Sequence, residues 1–192
     1  MIKAEKSRMI KRVLVLIILL IPFSTIAQVS PVTTRDTPQG TKIVLSRSIQ
    51  KAIRAFDSSF VPLSTLDYIK ALREKKFKGH ENYLSLCTGD FDGNGLIDAV
   101  ILGRSGGGMR MIAAFQQKKN IFTIMSVKEF PFFESGEEDA YLTRIPARVL
   151  NVTLDNRSIS FDTDTFLLAY YRRGSILYRW GKNEFMQYQL GN

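Results

Sequence analysis

Residues 97–127 of the chain read IDAVILGRSGGGMRMIAAFQQKKNIFTIMSV, and this stretch decides the fold class. It contains three apolar runs, at residues 97–102, 109–115 and 121–127. A glycine-rich stretch at 103–108 and a polar stretch at 117–120 separate the runs. Short apolar runs joined by turn-forming residues are typical of antiparallel strands connected by hairpins. The stretch therefore predicts a β-meander.

Runs of the same kind continue on both sides of this stretch. We predict further strands at residues 83–88, 141–145, 158–161, 166–172, 176–180 and 185–190. The connections Arg173-Gly174 and Gly181-Lys182-Asn183 consist of residue types that favour turns. We find no convincing internal repeat, which argues against a propeller or a solenoid.

Two amphipathic helices precede the strands. Ser48 is predicted to cap a helix that ends at Phe56, with apolar side chains at helical spacing in between. Pro62 interrupts the chain, and Ser64 and Asp67 then have the spacing of a capping box, which predicts a second helix. The apolar residues of that second helix are Leu66, Ile69 and Leu72.

The expected architecture is a single α+β domain over residues 41–192. One antiparallel β-sheet dominates it, two short N-terminal amphipathic helices cover the sheet, and the fold is not a full propeller. A chain of 192 residues with 45% hydrophobic and 23% charged side chains is long and apolar enough for one such core.

Residues 1–27 have the order of a secretory signal peptide. Basic side chains come first, an apolar run of about 11 residues follows, and the small residues Thr25 and Ala27 precede the predicted cleavage before Gln28. The run is shorter than the ~20 residues that span a bilayer, so we favour cleavage over an uncleaved anchor. Residues 28–40 are predicted to be a flexible lead-in. The protein is therefore expected in the periplasm or outside the cell, without a membrane anchor after cleavage.

The net charge of +9 belongs in part to this leader. Residues 1–27 carry five basic and one acidic side chains, and their removal leaves a net charge of +5. No block of five like charges remains, so the composition argues against nucleic-acid binding. One His and one Cys exclude a zinc site of the usual type and a disulfide within the chain.

The segment Asp90-Phe91-Asp92-Gly93-Asn94-Gly95-Leu96-Ile97-Asp98 is the sharpest chemical signal. Oxygen-bearing side chains occupy its positions 1, 3, 5 and 9, and glycines at positions 4 and 6 allow the chain to coil. Calcium takes six to eight oxygen ligands, and a coiled loop brings alternate residues to one centre. Carboxylates so close together repel each other unless a cation neutralises them. Position 12, where an EF-hand has a bidentate Glu, is Ile101 in an apolar run, so an EF-hand is excluded.

The loop followed directly by a strand resembles the calcium loops of FG-GAP and VCBS-type repeats. The resemblance covers residues 89–102, and the chain has one copy where those families stack several. It implies a structural Ca²⁺ held by the side chains of Asp90, Asp92, Asn94 and Asp98 and by the main-chain carbonyl of Leu96. The alternative is a metal-free acidic turn, in which Asp90 and Asp92 bind nearby amides.

Other groups suggest weaker hypotheses. Cys87 and His80 could form a thiolate–imidazole pair, although Cys87 is predicted to be a buried strand residue. The acidic loop with Glu134, Glu137, Glu138 and Asp139 is where a carboxylate pair would be sought. A late aromatic cluster is either cross-strand packing or a recognition surface: Tyr170, Tyr171, Tyr178, Trp180, Phe185 and Tyr188.

The sequence thus favours an exported, non-enzymatic binding or interaction module of the cell envelope or periplasm, with a structural Ca²⁺ loop. Its partner would be a protein or a glycan. The alternative is a secreted hydrolase that uses paired carboxylates.

Overall fold

The computed structural model describes residues 31–37, 40–74, 83–130, 137–147, 152–154, 157–159 and 161–190. The predicted signal peptide, the cleavage site, His80 and Glu134 lie outside these residues. Within them, no helix combines the length and the apolar character needed to cross a membrane.

The described chain is mostly antiparallel β-sheet with two short helices, in agreement with the predicted α+β class. The helices are α1 (Arg47–Phe56) and α2 (Lys70–Arg73), and a 3₁₀ turn spans Thr65–Asp67. The strands before the predicted calcium loop at residues 90–98 are β1 (Val32–Thr37), β2 (Gly40–Leu45), β3 (Val61–Pro62) and β4 (Leu86–Gly89). Those after it are β5 (Asp98–Ser105), β6 (Gly108–Lys118), β7 (Ile121–Phe130), β8 (Ala140–Ile145), β9 (Val152–Leu154), β10 (Arg157–Ile159), β11 (Thr165–Tyr170), β12 (Gly174–Gly181) and β13 (Glu184–Leu190).

The strands form two main sheets, where the sequence predicted one. A five-stranded sheet has the order β3-β5-β6-β7, with β4 also paired to β5. A four-stranded sheet has the order β13-β12-β11-β8, and neither described sheet closes into a barrel. The Leu142 N–H of β8 donates to the Leu84 carbonyl just before β4, at 2.8 Å, so the two sheets are also linked through the backbone. Hairpins β1-β2 and β9-β10 form two small additional sheets.

The main core lies between the two sheets. Alternate residues of β5 and β6, such as Val100 and Met111, meet side chains of the four-stranded sheet, such as Leu142 and Phe166. The opposite face of the five-stranded sheet, with Ile101, packs under α1 and the β1-β2 hairpin. The period-2 alternation of a strand explains why neighbouring residues of β5 belong to different cores.

Helix α1 forms as predicted, but its cap differs. The side chain that accepts the Ile49 N–H is Ser46, at 3.4 Å, and not Ser48. Ser48 instead shares a hydroxyl–hydroxyl hydrogen bond with Ser46, at 3.3 Å. The helix consequently begins at Arg47, slightly earlier than the sequence predicted.

The second helix is interrupted after its first turn. The capping box is present, because the Asp67 carboxylate accepts the Ser64 N–H at 2.6 Å. Tyr68 and Ile69 are then extended, and the Ile69 N–H donates to the Glu138 carbonyl at 3.0 Å. This pairing with a distant segment overrides the local helical preference, and only Lys70–Arg73 continues as a helix.

Part of the predicted lead-in is a strand. Residues Val32–Thr37 form β1 and pair with β2 from Val32↔Leu45 to Thr37↔Gly40. Four of the six residues in β1 are Val or Thr, which favour strands. The prolines and glycine that suggested a flexible segment flank this strand rather than interrupt it.

Candidate functional site

The predicted calcium loop, residues 90–98, connects β4 to β5 at one end of the space between the two sheets. Gly93 and Gly95 both have a φ of +80°, a conformation that residues with a Cβ rarely adopt. These two glycines let residues 90–97 coil within a short span. The loop therefore folds as the sequence predicted, between two strands and without a following helix.

The coil brings three carboxylates together. One oxygen each of Asp90, Asp92 and Asp98 lies within 4.8 Å of the others. At this separation and an effective dielectric of 20, each charged pair costs about 3 kcal/mol. No described Lys or Arg forms an ion pair with any of the three. The negative charge is therefore concentrated and uncompensated by these cations.

Backbone amides support the loop from within. Asp90 accepts the N–H groups of Gly93 and Gly95, both at 2.9 Å, and Asp92 accepts that of Asn94 at 3.1 Å. The Asn94 side-chain amide donates to Asp92 and to the Gln116 carbonyl, while its oxygen accepts the Leu96 N–H at 2.8 Å. Asn94 and Leu96 thus belong to the same small coil as the carboxylates. These Asx-type bonds are also the contacts of the predicted metal-free turn.

Asp98 is the buried member of the group. Its side chain is inaccessible to solvent and accepts the N–H of Phe91 at 3.0 Å and of Gln116 at 2.8 Å. Burial, and to a smaller extent the charge of Asp92, together raise the pKa of Asp98 to about 7, although the amide hydrogen bonds oppose the shift. Burial and the Asp90 charge also raise the pKa of Asp92. A proton on Asp98 or a nearby cation would each reduce the electrostatic cost of holding these carboxylates close together and away from water.

Two residues outside the loop, neither of them predicted from the sequence, fix it to the second sheet. Asp164 Oδ2, just before β11, accepts the Asp90 N–H at 2.9 Å, and the Asp164 N–H donates to the Asp90 carbonyl at 3.1 Å. Arg144 of β8 donates to the same Oδ2 through Nε at 3.0 Å and forms the ion pair through Nη2 at 2.9 Å. Phe91 is fully buried and contacts Phe166 of β11, ring centre to ring centre, at 5.5 Å. The loop therefore joins the two sheets.

We expect Gly89→Ala to destabilise the protein by about 1–3 kcal/mol, because the added Cβ would lie 2.6 Å from Asp164 Oδ2. That oxygen is held by Arg144 and by the Asp90 amide and has little room to move. Urea unfolding checks the prediction. Gly107→Ala is the matched control, since nothing lies within 4 Å of its Cβ position. Equal stability of the two variants would contradict the close packing of Asp164 on β4.

A cavity of about 440 Å³ adjoins the loop, and Asp90, Asp164 and Arg144 contribute to its walls. The two carboxylates already accept backbone amides, so their positions are explained by the loop itself. In the predicted acidic loop, the Glu138 carboxylate is buried and accepts the N–H of Asp139 and of Ala140, while Asp139 binds Arg173. Burial raises the pKa of Glu138. Neither Asp90 with Asp164 nor Glu138 with Asp139 thereby stands out as the acid and base of a hydrolase.

The weaker hypotheses have structural explanations. Cys87 is buried in β4. Trp180 packs against Phe115 and Phe185, with ring centres 4.5 and 5.0 Å apart, which is cross-strand and inter-sheet packing.

Comparisons with known proteins add no relative. No protein-family model matches the chain. No curated protein and no solved structure matches it either. The resemblance of the loop to FG-GAP and VCBS-type repeats accordingly remains a prediction from its residues.

Proposed function

We propose that the loop at residues 90–98 binds one Ca²⁺ ion, and that the ion stabilises the junction between the two sheets. The observation that carries this proposal is the convergence of Asp90, Asp92 and Asp98, one of them fully buried, without an ion pair to a described Lys or Arg. Asn94 Oδ1 and the Leu96 carbonyl are the further ligands that the loop would supply. The set consists of oxygen atoms alone, which suits a hard cation.

Electrostatics favours a bound cation over the metal-free turn. In the turn, Asp98 either keeps a charge away from water or takes up a proton near neutral pH, since its pKa is raised to about 7. A divalent ion converts the repulsion among the three carboxylates into attraction. The amide hydrogen bonds of the loop remain compatible with it, because a carboxylate oxygen has more than one lone pair.

The position of the loop supports a structural role for the ion. Asp98 begins β5, and Phe91 enters the core between the sheets. The backbone N–H of Asp90 donates to the carboxylate of Asp164, which directly precedes β11 of the second sheet. An ion that fixes these residues therefore acts on the strand entry and on both sheets at once. This arrangement gives the ion a structural and not a catalytic role, in keeping with the calcium-stabilised binding or interaction module of an exported protein that we propose. Millimolar calcium outside the cytoplasm would keep such a site filled.

We expect calcium to raise the midpoint of thermal unfolding by about 5–10 °C. A ligand at 100 times its Kd adds about 2.7 kcal/mol to the stability, and in a domain of this size 1 kcal/mol shifts the midpoint by about 2–4 °C. The measurement is thermal unfolding followed by circular dichroism in excess Ca²⁺ and in excess chelator.

Asp162→Asn is the matched control for this experiment, because Asp162 is exposed and lies outside the carboxylate cluster. It should keep the full calcium-dependent shift. A wild-type midpoint that is the same in calcium and in chelator would contradict the proposal and favour the metal-free turn.

A further inference from the structure

Exposed apolar side chains concentrate beside one groove of the molecule. The groove has a volume of about 300 Å³ and lies between β2, α1 and β3, with walls formed by Ile43, Val44, Ile53, Phe60 and Pro62, among others. We call it the β2–α1 groove. Large apolar surfaces left open beside a concave site mark interaction surfaces more often than isolated exposed residues do.

Three of the five exposed large apolar residues in the described chain lie at or next to this groove. Val44 lines it and is 42% exposed, and Val61, between Phe60 and Pro62 of its wall, is 62% exposed. Leu66, 54% exposed, belongs to the 3₁₀ turn that lies against β2. Two strand edges also border the groove. β3 is the outermost strand of its sheet, and the edge of β2 that does not pair with β1 has no described partner strand.

The rim of the groove is basic. Arg54 contributes to its wall, and Arg47 and Lys51 share the same side of α1 at spacings of four and three residues. Lys42 lies two residues before Val44 on β2, so the two side chains point to the same face. α1 contains no acidic residue, and none of the four cations forms an ion pair with a described carboxylate.

We propose that the β2–α1 groove binds a segment of a partner protein that carries apolar anchor side chains flanked by Asp or Glu. The groove would take the apolar side chains, and the four cations would attract the acidic flanks. A concave site of this size suits inserted side chains better than the flat surface of a bilayer. The inference rests on the proposed role as an interaction module, but not on the calcium site.

The test begins with a phage-displayed library of random 12-residue peptides, selected on the purified protein. Peptides that also bind the variant Val44→Asp are removed. We expect the selected peptides to contain at least two large apolar residues and a net negative charge. A synthetic, fluorescein-labelled copy of a selected peptide is then measured by fluorescence anisotropy. Its affinity should fall at least tenfold in Arg54→Glu, a variant that plays no part in the selection, and it should weaken as salt is raised.

Two matched controls lie on the β6-β7 hairpin. Ile121 is 55% exposed and Lys119 is exposed at the turn, and neither lines the groove. Ile121→Asp and Lys119→Glu should bind the peptide within twofold of the wild type. Circular dichroism shows whether all four variants keep the fold.

Failure to enrich any peptide, selection of neutral or basic peptides, or equal affinity of Arg54→Glu would overturn the proposal. So would binding of vesicles with anionic phospholipid that depends on Val44 and Arg54 while peptides do not bind. The groove proposal and the calcium proposal can fail independently. Peptide binding is measured in the presence of calcium, and it tests the groove whether or not calcium changes the unfolding midpoint.

Discussion

Phe91→Ala should lower the free energy of unfolding by about 3–5 kcal/mol, the range for removal of a buried aromatic side chain. Phe91 belongs to the predicted calcium loop at residues 90–98, yet its side chain is inaccessible to solvent and lies in the core between the sheets. It contacts Phe166 edge to face, with ring centres 5.5 Å apart and an angle of 73° between the rings. Its truncation would leave a cavity directly below the three carboxylates. Urea unfolding in excess calcium measures the loss.

Phe56→Ala is the matched control, since Phe56 ends α1 and is 43% exposed. Its replacement should cost less than about 1 kcal/mol, as for most substitutions at the surface. We also expect Phe91→Ala to weaken calcium binding, because the Phe91 N–H that supports Asp98 would lose its fixed position. Equal stabilities of the two variants would show that the loop is not attached to the core through Phe91.

Asp98→Asn should separate the calcium-bound protein from the metal-free one. In saturating calcium the variant should be about 3 kcal/mol less stable than the wild type, because it loses a ligand and with it the stabilisation by bound ion. In chelator at pH 7.5 the variant should be at least as stable as the wild type. Equilibrium unfolding in both conditions gives the two differences.

The absence of a loss in chelator follows from two opposing contributions, of which the first is the larger. A carboxyl whose folded pKa is about 7 binds protons that the unfolded chain has released above pH 3.8. Stability is therefore lost as pH rises from about 4 to 7, and Asn removes this loss. The Asn amide, however, places an NH₂ against the N–H of Phe91 or Gln116, which costs about 1–3 kcal/mol. A similar loss in calcium and in chelator would mean that Asp98 acts only through its hydrogen bonds.

Local signals in the sequence were sufficient for most individual elements. The short apolar runs located β5, β6 and β7, and turn-forming residues located the hairpins between them. The number of sheets was not accessible in this way, because it depends on long-range pairing. The link from Leu142 to Leu84 and the pairing of β8 with β11 place the later strands in a second sheet. Helix α2 is short for the same reason, since Ile69 pairs with Glu138.

The candidate site was predictable where its residues are close in sequence. The spacing of Asp90, Asp92 and Asp98 implied that the loop would coil, and the three carboxylates do converge. Asp164 could not be predicted, because it lies 74 residues from Asp90 in a stretch without a recognisable pattern. Its role depends on the register that aligns Thr165 with Ile145 and so places Asp164 at the end of the second sheet. Arg144, on the partner strand, follows from the same register.

The amount of calcium bound per chain shows directly whether the loop at residues 90–98 is a metal site. The purified protein is equilibrated by dialysis against buffered micromolar to millimolar Ca²⁺, and the metal per chain is measured by atomic emission. We expect one saturable Ca²⁺ per chain in the wild type and in Asp162→Asn, and a binding curve shifted to at least tenfold higher calcium in Asp98→Asn and Asp92→Asn. Absence of saturable calcium in the wild type, or equal calcium in all four proteins, would contradict it.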